Sequence, residues 1–172
     1  MTNNTQVPIF IYSLYHHVAT MAEAVQKGVI SAGGNPDYTV ITPDQLKDYD
    51  ALLFGVPTRF GNYPAQWKAF WDCTGGLWTS GALYGKPAGI FETTAVNVLS
   101  CLVHHGIVYV PLGYAKAFPD ITKLQEVHGS FPHGAGCFAG ADGSRKPSAL
   151  ELEIAKIQGK SFWETVQKFL HR

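Results

Sequence analysis

VPIFIYSLYHHVATMAEAVQKGVISAGG, residues 7–34, reads as a buried strand, a short polar turn and an amphipathic helix closed by two glycines. Val7 to Tyr12 is nearly continuously apolar, the pattern of a strand covered on both faces. From Val18 to Ala32 the apolar residues Val18, Met21, Ala22, Val25, Val29 and Ile30 form one broad helical stripe, and Gly33-Gly34 ends it. A buried strand leading straight into an amphipathic helix is the repeating unit of a parallel α/β sheet.

The unit recurs along the chain. Ala51 to Val56 (ALLFGV) is a second buried strand, ended by Pro57, and Ala65 to Cys73 reads as a helix carrying Trp67, Phe70 and Trp71. Ala88 to Phe91 is a third strand and Thr94 to Val103 a helix. Ile107 to Val110 is a fourth strand, ended by Pro111. Ser148-Ala149-Leu150-Glu151, after Pro147, is a capping box that opens a last helix running to Phe169. The alternation predicts a parallel sheet with helices on both faces and right-handed crossovers. The glycine-rich stretch from Gly129 to Gly143 is a long loop, a length usually tied to function or mobility.

The chain of 172 residues suits one domain, and 46% hydrophobic residues suits a folded one. Thirteen basic and thirteen acidic residues leave no basic excess for nucleic acid. The balance also disfavours an acidic electron shuttle that docks by charge. No apolar run approaches a membrane span, and the first residues lack a signal-peptide pattern, so the expected location is cytoplasmic. Cys73, Cys101 and Cys137 are too scattered for a disulfide framework or zinc site and read as buried thiols. No metal site is expected.

Ligands of doubly wound sheets lie beyond the carboxyl ends of the strands. Ser13-Leu14-Tyr15-His16-His17 leaves the first strand at a helix N-terminus, a natural phosphate site, although Ser13 could serve as a cap. Pro57-Thr58-Arg59-Phe60-Gly61-Asn62 leaves the second strand with hydrogen-bonding groups and a cation, or is a structural turn. His104-His105-Gly106 precedes the fourth strand, where a histidine could meet a substrate oxygen or a solvated surface. Trp78 could wall a pocket for a flat ring or pack in the core. Gly-x-Gly-x-x-Gly, the P-loop and the Gly-x-Ser-x-Gly elbow are absent.

The run PTRFGNYPAQWKAFWDCTGGLWTSGALYGKPAG, residues 57–89, closely resembles the WrbA family of NAD(P)H:quinone oxidoreductases. YSLYHHVATMAEA (12–24), HHGIVYVPLGY (104–114) and AGADGSRKPSALELEIAKIQGK (139–160) resemble it too, and the tail is most similar to fungal members. The resemblance implies a flavodoxin-like α/β fold, a doubly wound five-stranded sheet of order 2-1-3-4-5. It implies FMN as cofactor and a homo-oligomer, a tetramer by the family pattern, with sites near subunit contacts. Ser13, Tyr15, His17 and Val18 would fall in the phosphate loop. Thr58, Arg59, Phe60 and Gly61 would meet the flavin ring, His105 would stand beside it, and Trp78 would wall the substrate pocket.

Two departures stand out. The family's serine-, threonine- and glycine-rich loop after the third strand is absent where Phe91 runs into Glu92. A strand and proline-bearing insert after the first helix, roughly twenty residues, are absent at Asn35–Pro36. His16 stands where the family usually has glycine. One explanation is a true deletion, which puts FMN binding in doubt and loses the second strand or replaces it with Tyr38 to Ile41. The favoured expectation is that disordered segments have been closed over, because removing a buried strand would open the core. That expectation places breaks close to Asn35–Pro36 and Phe91–Glu92, wider than the about 3.8 Å between α-carbons of a trans peptide.

The function expected is two-electron reduction of a quinone by NAD(P)H through FMN, with one site serving both substrates in ping-pong fashion. The alternative is a flavin-free protein with a structural role in an assembly peripheral to the plasma membrane.

Overall fold

A computed structural model describes residues 5–36, 40–92 and 95–171. β1 (Ile9–Ile11) leads into α1 (His17–Ser31), and a 3-10 helix (Pro43–Asp48) precedes β2 (Leu52–Gly55). α2 (Ala65–Asp72) and α3 (Gly75–Ser80) lead to β3 (Pro87–Phe91), and α4 (Ala95–His104) to β4 (Val108–Tyr109). α5 (Phe118–Ile121) and the long α6 (Ala149–Leu170) complete the order. The strands and main helices fall where the apolar patterns place them. The capping box at Ser148 forms as read: its hydroxyl accepts from Glu151 N–H at 3.2 Å, and Glu151 accepts from Ser148 N–H at 2.8 Å.

The sheet is parallel, but among the described residues it has four strands in the order β1-β2-β3-β4, not five in the order 2-1-3-4-5. The expected strand after α1 falls in the short link that follows that helix. Tyr38 and Thr39 of the replacement strand lie outside the described residues, and Val40 and Ile41 form no strand. Within that link the chain changes faces of the sheet. α1 packs in the cluster with Val25, Leu53 and Ile154, whereas Leu46 of the 3-10 helix packs in the opposite cluster with Phe54 and Trp71. β1 is an edge among the described residues. A groove of about 460 Å³ beside it is lined by Ile9–Tyr12, Val40, Ile41, Gln66, Trp67 and Phe70.

α1 and α6 cover one face and meet backbone to backbone. A Cβ on Gly28 would stand 2.0 Å from Lys156 O, and one on Gly159 2.0 Å from Val25 O. Only two residues without side chains allow that crossing. On the other face Phe54 sits among Trp67 and Trp71 at ring separations of 5.7 and 5.5 Å. Of the three thiols, Cys137 is buried and Cys101 partly so. Cys73 is exposed, contrary to the buried reading, because it caps the outer end of the short α2.

Candidate functional site

Three strands end at one cavity. β1 runs into Ser13–His16, β2 into Pro57–Gly61 and β3 into Glu92, and the cavity between them has a volume of about 630 Å³. That size suits a small organic ligand or cofactor. Ser13, Tyr15, His17, Val18, Thr58 and Arg59 line it together.

The first loop enters α1 through His16, which holds φ 65°. A left-handed backbone at that point strains a side chain and suits glycine. His16 caps nothing with its side chain, so the first amides of α1 keep their donor capacity at the cavity. The Ser13 hydroxyl is buried with no partner among the described residues. Free amides at a helix start and an orphaned hydroxyl are what an anionic group would satisfy.

The second loop is a hairpin. Arg59 and Asn62 exchange backbone hydrogen bonds of 2.6 and 2.9 Å, and Phe60 and Gly61 between them both have positive φ. Such tight turns hold both central residues in the left-handed region. The turn lifts Phe60 fully into solvent and leaves Phe60 and Gly61 outside the cavity lining. Arg59 lies over the Tyr15 ring at 5.5 Å and donates to its hydroxyl at 3.3 Å, joining the two loops at the rim.

The remaining wall is Cys137–Gly143, from the glycine-rich loop, together with Glu92. Buried polar side chains of α6 hold this wall. Gln158 donates to Ile90 O at 2.7 Å and accepts from Ala135 N–H at 2.7 Å. Glu151 accepts from Gly129 N–H at 3.0 Å and Phe138 N–H at 3.2 Å. Arg145 donates to Val127 O at 3.0 Å and Phe138 O at 2.7 Å, and its own carbonyl accepts from the His17 ring at 2.9 Å. The His17 Nε2–H is thus spent on the wall.

Glu92 was not among the predicted site residues, nor were Cys137–Gly143, although the loop's length and the AGADGS run marked that region. Glu92 is only 5% exposed, has φ 83°, and receives a 3.5 Å hydrogen bond from the Cys137 thiol. Burial pushes its carboxyl up to about 8, so it is largely protonated at neutral pH. Burial, with Glu92 next, also raises the Cys137 thiol well above its ordinary range.

His105 and Trp78 do not join this cavity. Both are tied to Thr74, before α3. The Trp78 backbone N–H donates to Thr74 O at 3.0 Å, and Trp78 is 59% exposed. The Thr74 hydroxyl gives its proton to Trp71 O at 2.7 Å, so it accepts from His105 Nε2–H at 2.9 Å. That leaves His105 Nδ1 a buried acceptor without a partner among the described residues. Burial, then His104, lowers the proton affinity of His105. α4 runs back from the carboxyl end of β3 to the amino end of β4, which carries His105 to the end of the sheet opposite the cavity.

Residues 15–108, more than half of the chain, match the family model described as NADPH-dependent FMN reductase. The chain belongs to that family. Relatives of this FMN reductase family member include NAD(P)H quinone oxidoreductase PST3 of Candida albicans, 58% identical, aligned over 95% of this chain and 98% of the relative. Another is Protoplast secreted protein 2 of Saccharomyces cerevisiae, 53% identical over 95% and 99%. The first alignment spans 196 positions, whereas 95% of 172 residues is about 163, so some 33 positions of the relative have no counterpart here. The FMN reductase family member shares its fold with a flavodoxin, WrbA-like protein from Agrobacterium tumefaciens, at a TM-score of 0.67 and 20% identity over 96% and 99% of the two chains. It also matches an archaeal flavodoxin at a TM-score of 0.65 and 18% identity, over 95% and 99%. The flavodoxin-like architecture holds, although with one strand fewer than expected.

Proposed function

We propose that this chain is an FMN-dependent oxidoreductase of the WrbA kind that passes electrons from NAD(P)H to quinones. The observation that carries the reading is the convergence of Ser13, Tyr15, His17, Val18, Thr58 and Arg59 on one cavity beside the uncapped start of α1. A relative sharing 58% of its residues bears the name NAD(P)H quinone oxidoreductase, which supports the reaction class. The flavin-free structural role has no comparable support.

The residues present fit a phosphorylated flavin in part. Ser13 and the first amides of α1 would hold the phosphate, and Thr58 and Arg59 would flank the ring, with the Phe60-Gly61 turn closing over it. A bound flavin would supply two-electron transfer, accepting hydride from NAD(P)H and giving it up to a quinone. Trp78 and His105 lie elsewhere in the same chain, so in this reading they reach the ring of another copy in a homotetramer. A cytoplasmic location, with or without peripheral membrane association, belongs to the same proposal.

Titration of the purified protein with FMN, followed by benzoquinone-dependent oxidation of NADPH, tests it. Flavin binding with turnover is expected. Absence of both would exclude the enzyme.

A further inference from the structure

Glu92 is at odds with the rest of the cavity. The other features there invite an anion: free amides, an orphaned hydroxyl and Arg59 at the rim. Glu92 is a carboxyl buried in the same wall, and the hydrogen bonds that reach it come from Cys137, through its weak thiol and its backbone. None of the ion pairs among the described residues includes it. Arg145, which precedes α6, is engaged by Glu151 and by the carbonyls of Val127 and Phe138.

The titratable and charged groups around Glu92 are few. The loop wall offers Cys137 and Asp142, α6 offers Glu151, α1 and its leading turn offer His17 and Tyr15, and the β2 loop offers Arg59. Arg59 is the one permanent cation in the lining, set against the carboxyls of Glu92 and Asp142. With Glu92 ionised, a phosphate dianion would enter a cavity that already carries an excess of negative charge. With Glu92 protonated, the same carboxyl is a hydrogen-bond donor.

We propose that Glu92 sorts the ligands of this cavity by charge: a flavin without phosphate enters irrespective of pH, whereas a flavin phosphate enters only with the carboxyl protonated. The inference rests on the reading of the cavity as a flavin site and adds what that site selects. The proton comes from solvent and stays on Glu92 while the phosphate is bound. Burial holds the carboxyl in the wall, so moving it into water to escape the phosphate requires the wall to open.

The test is a matched pair of binding titrations, riboflavin and FMN, followed by flavin fluorescence between pH 7 and pH 9. A phosphate monoester loses its second proton near pH 6, so the ligand itself is constant across this range. Riboflavin should bind with an unchanged Kd. The Kd for FMN should rise about tenfold, as expected for one required proton on a group titrating near 8. In Glu92→Gln, which cannot ionise, the FMN slope should vanish, and FMN should bind about tenfold more tightly than to the parent at pH 9.

An FMN Kd that is flat in the parent protein, or a slope that survives in Glu92→Gln, overturns the assignment while leaving the flavin reading intact. Failure of both flavins to bind overturns both. The intact mass is a further check. A value of 18.8 kDa corresponds to the chain in which Glu92 follows β3 directly. A heavier protein, with a segment inserted between Phe91 and Glu92, would remove Glu92 from the cavity and overturn the inference.

Discussion

Arg145 grips Glu151 through one nitrogen, with Nη1 at 2.8 Å from Oε2 and 3.1 Å from Oε1, and Glu151 has no exposed surface. The pair fastens the start of α6 to the loop that walls the cavity. Glu151→Ala should cost about 3–5 kcal/mol, because it strands a partly buried guanidinium and three backbone donors, at Gly129, Phe138 and Ser148. Glu151→Gln keeps the shape and part of the bonding and should cost less. Urea denaturation of both variants measures the difference, and equal losses would contradict the charge-specific role.

The crossing of α1 and α6 has no room for a methyl group. Gly159→Ala should destabilise by roughly 3 kcal/mol, since the helices must part to admit it. Gly75→Ala at the start of α3, where an added Cβ meets nothing, should be neutral or gain about 0.5–1 kcal/mol. Thermal melts of the two variants should move in opposite directions or leave Gly75→Ala unchanged.

His16 pays a conformational penalty at φ 65° and makes no capping bond with its side chain. His16→Gly should therefore stabilise the fold by roughly 1 kcal/mol. A drop in melting temperature would show that the imidazole makes a contribution larger than the strain.

Glu92 binds its proton more tightly in the folded chain, near 8, than at the ordinary value of 4.5. The folded state therefore holds the extra proton between those values, and stability falls as pH rises through that window. The loss at pH 7 is roughly 3 kcal/mol. Glu92→Gln should remove it, so the variant should gain over the parent at pH 8 and show little gain at pH 4.5. Denaturation midpoints at the two pH values decide the matter, and a gain independent of pH would refute the linkage.

On the proposed reading, Arg59→Ala should weaken FMN binding, because Arg59 lines the cavity rim. His105→Ala should leave FMN binding nearly intact, because His105 sits at the end of the sheet opposite the cavity, and should slow quinone reduction, because in this reading His105 reaches the ring of another copy. Fluorescence titration and NADPH oxidation rates separate the two effects. An equal loss of binding in both variants would contradict this division.

Much of this arrangement was legible in the order of residues. VPIFIY, ALLFGV and the stripe from Val18 to Ile30 carry their burial in their own periodicity, and a parallel sheet brings the loops after its strands to one end. Ser13, Tyr15, His17, Val18, Thr58 and Arg59 could therefore be placed together before any coordinates. Ser148 and Glu151 likewise announced the start of α6, because a capping box is satisfied within four residues.

Only the tertiary structure could decide the rest. The order of the described strands, β1-β2-β3-β4, is set by which strands pair across the sheet, a global constraint that no local pattern records. The charge state of Glu92 depends on burial against Cys137, forty-five residues away. The second role of Glu151 and the role of Gln158 depend on distant backbone groups, at Gly129, Ala135, Phe138 and Ile90. His105 and Trp78 looked like neighbours of the cavity in sequence logic, but α4 runs antiparallel to the strands and carries His105 to their opposite end. Local periodicity determines which faces are buried; long-range closure determines which buried groups meet.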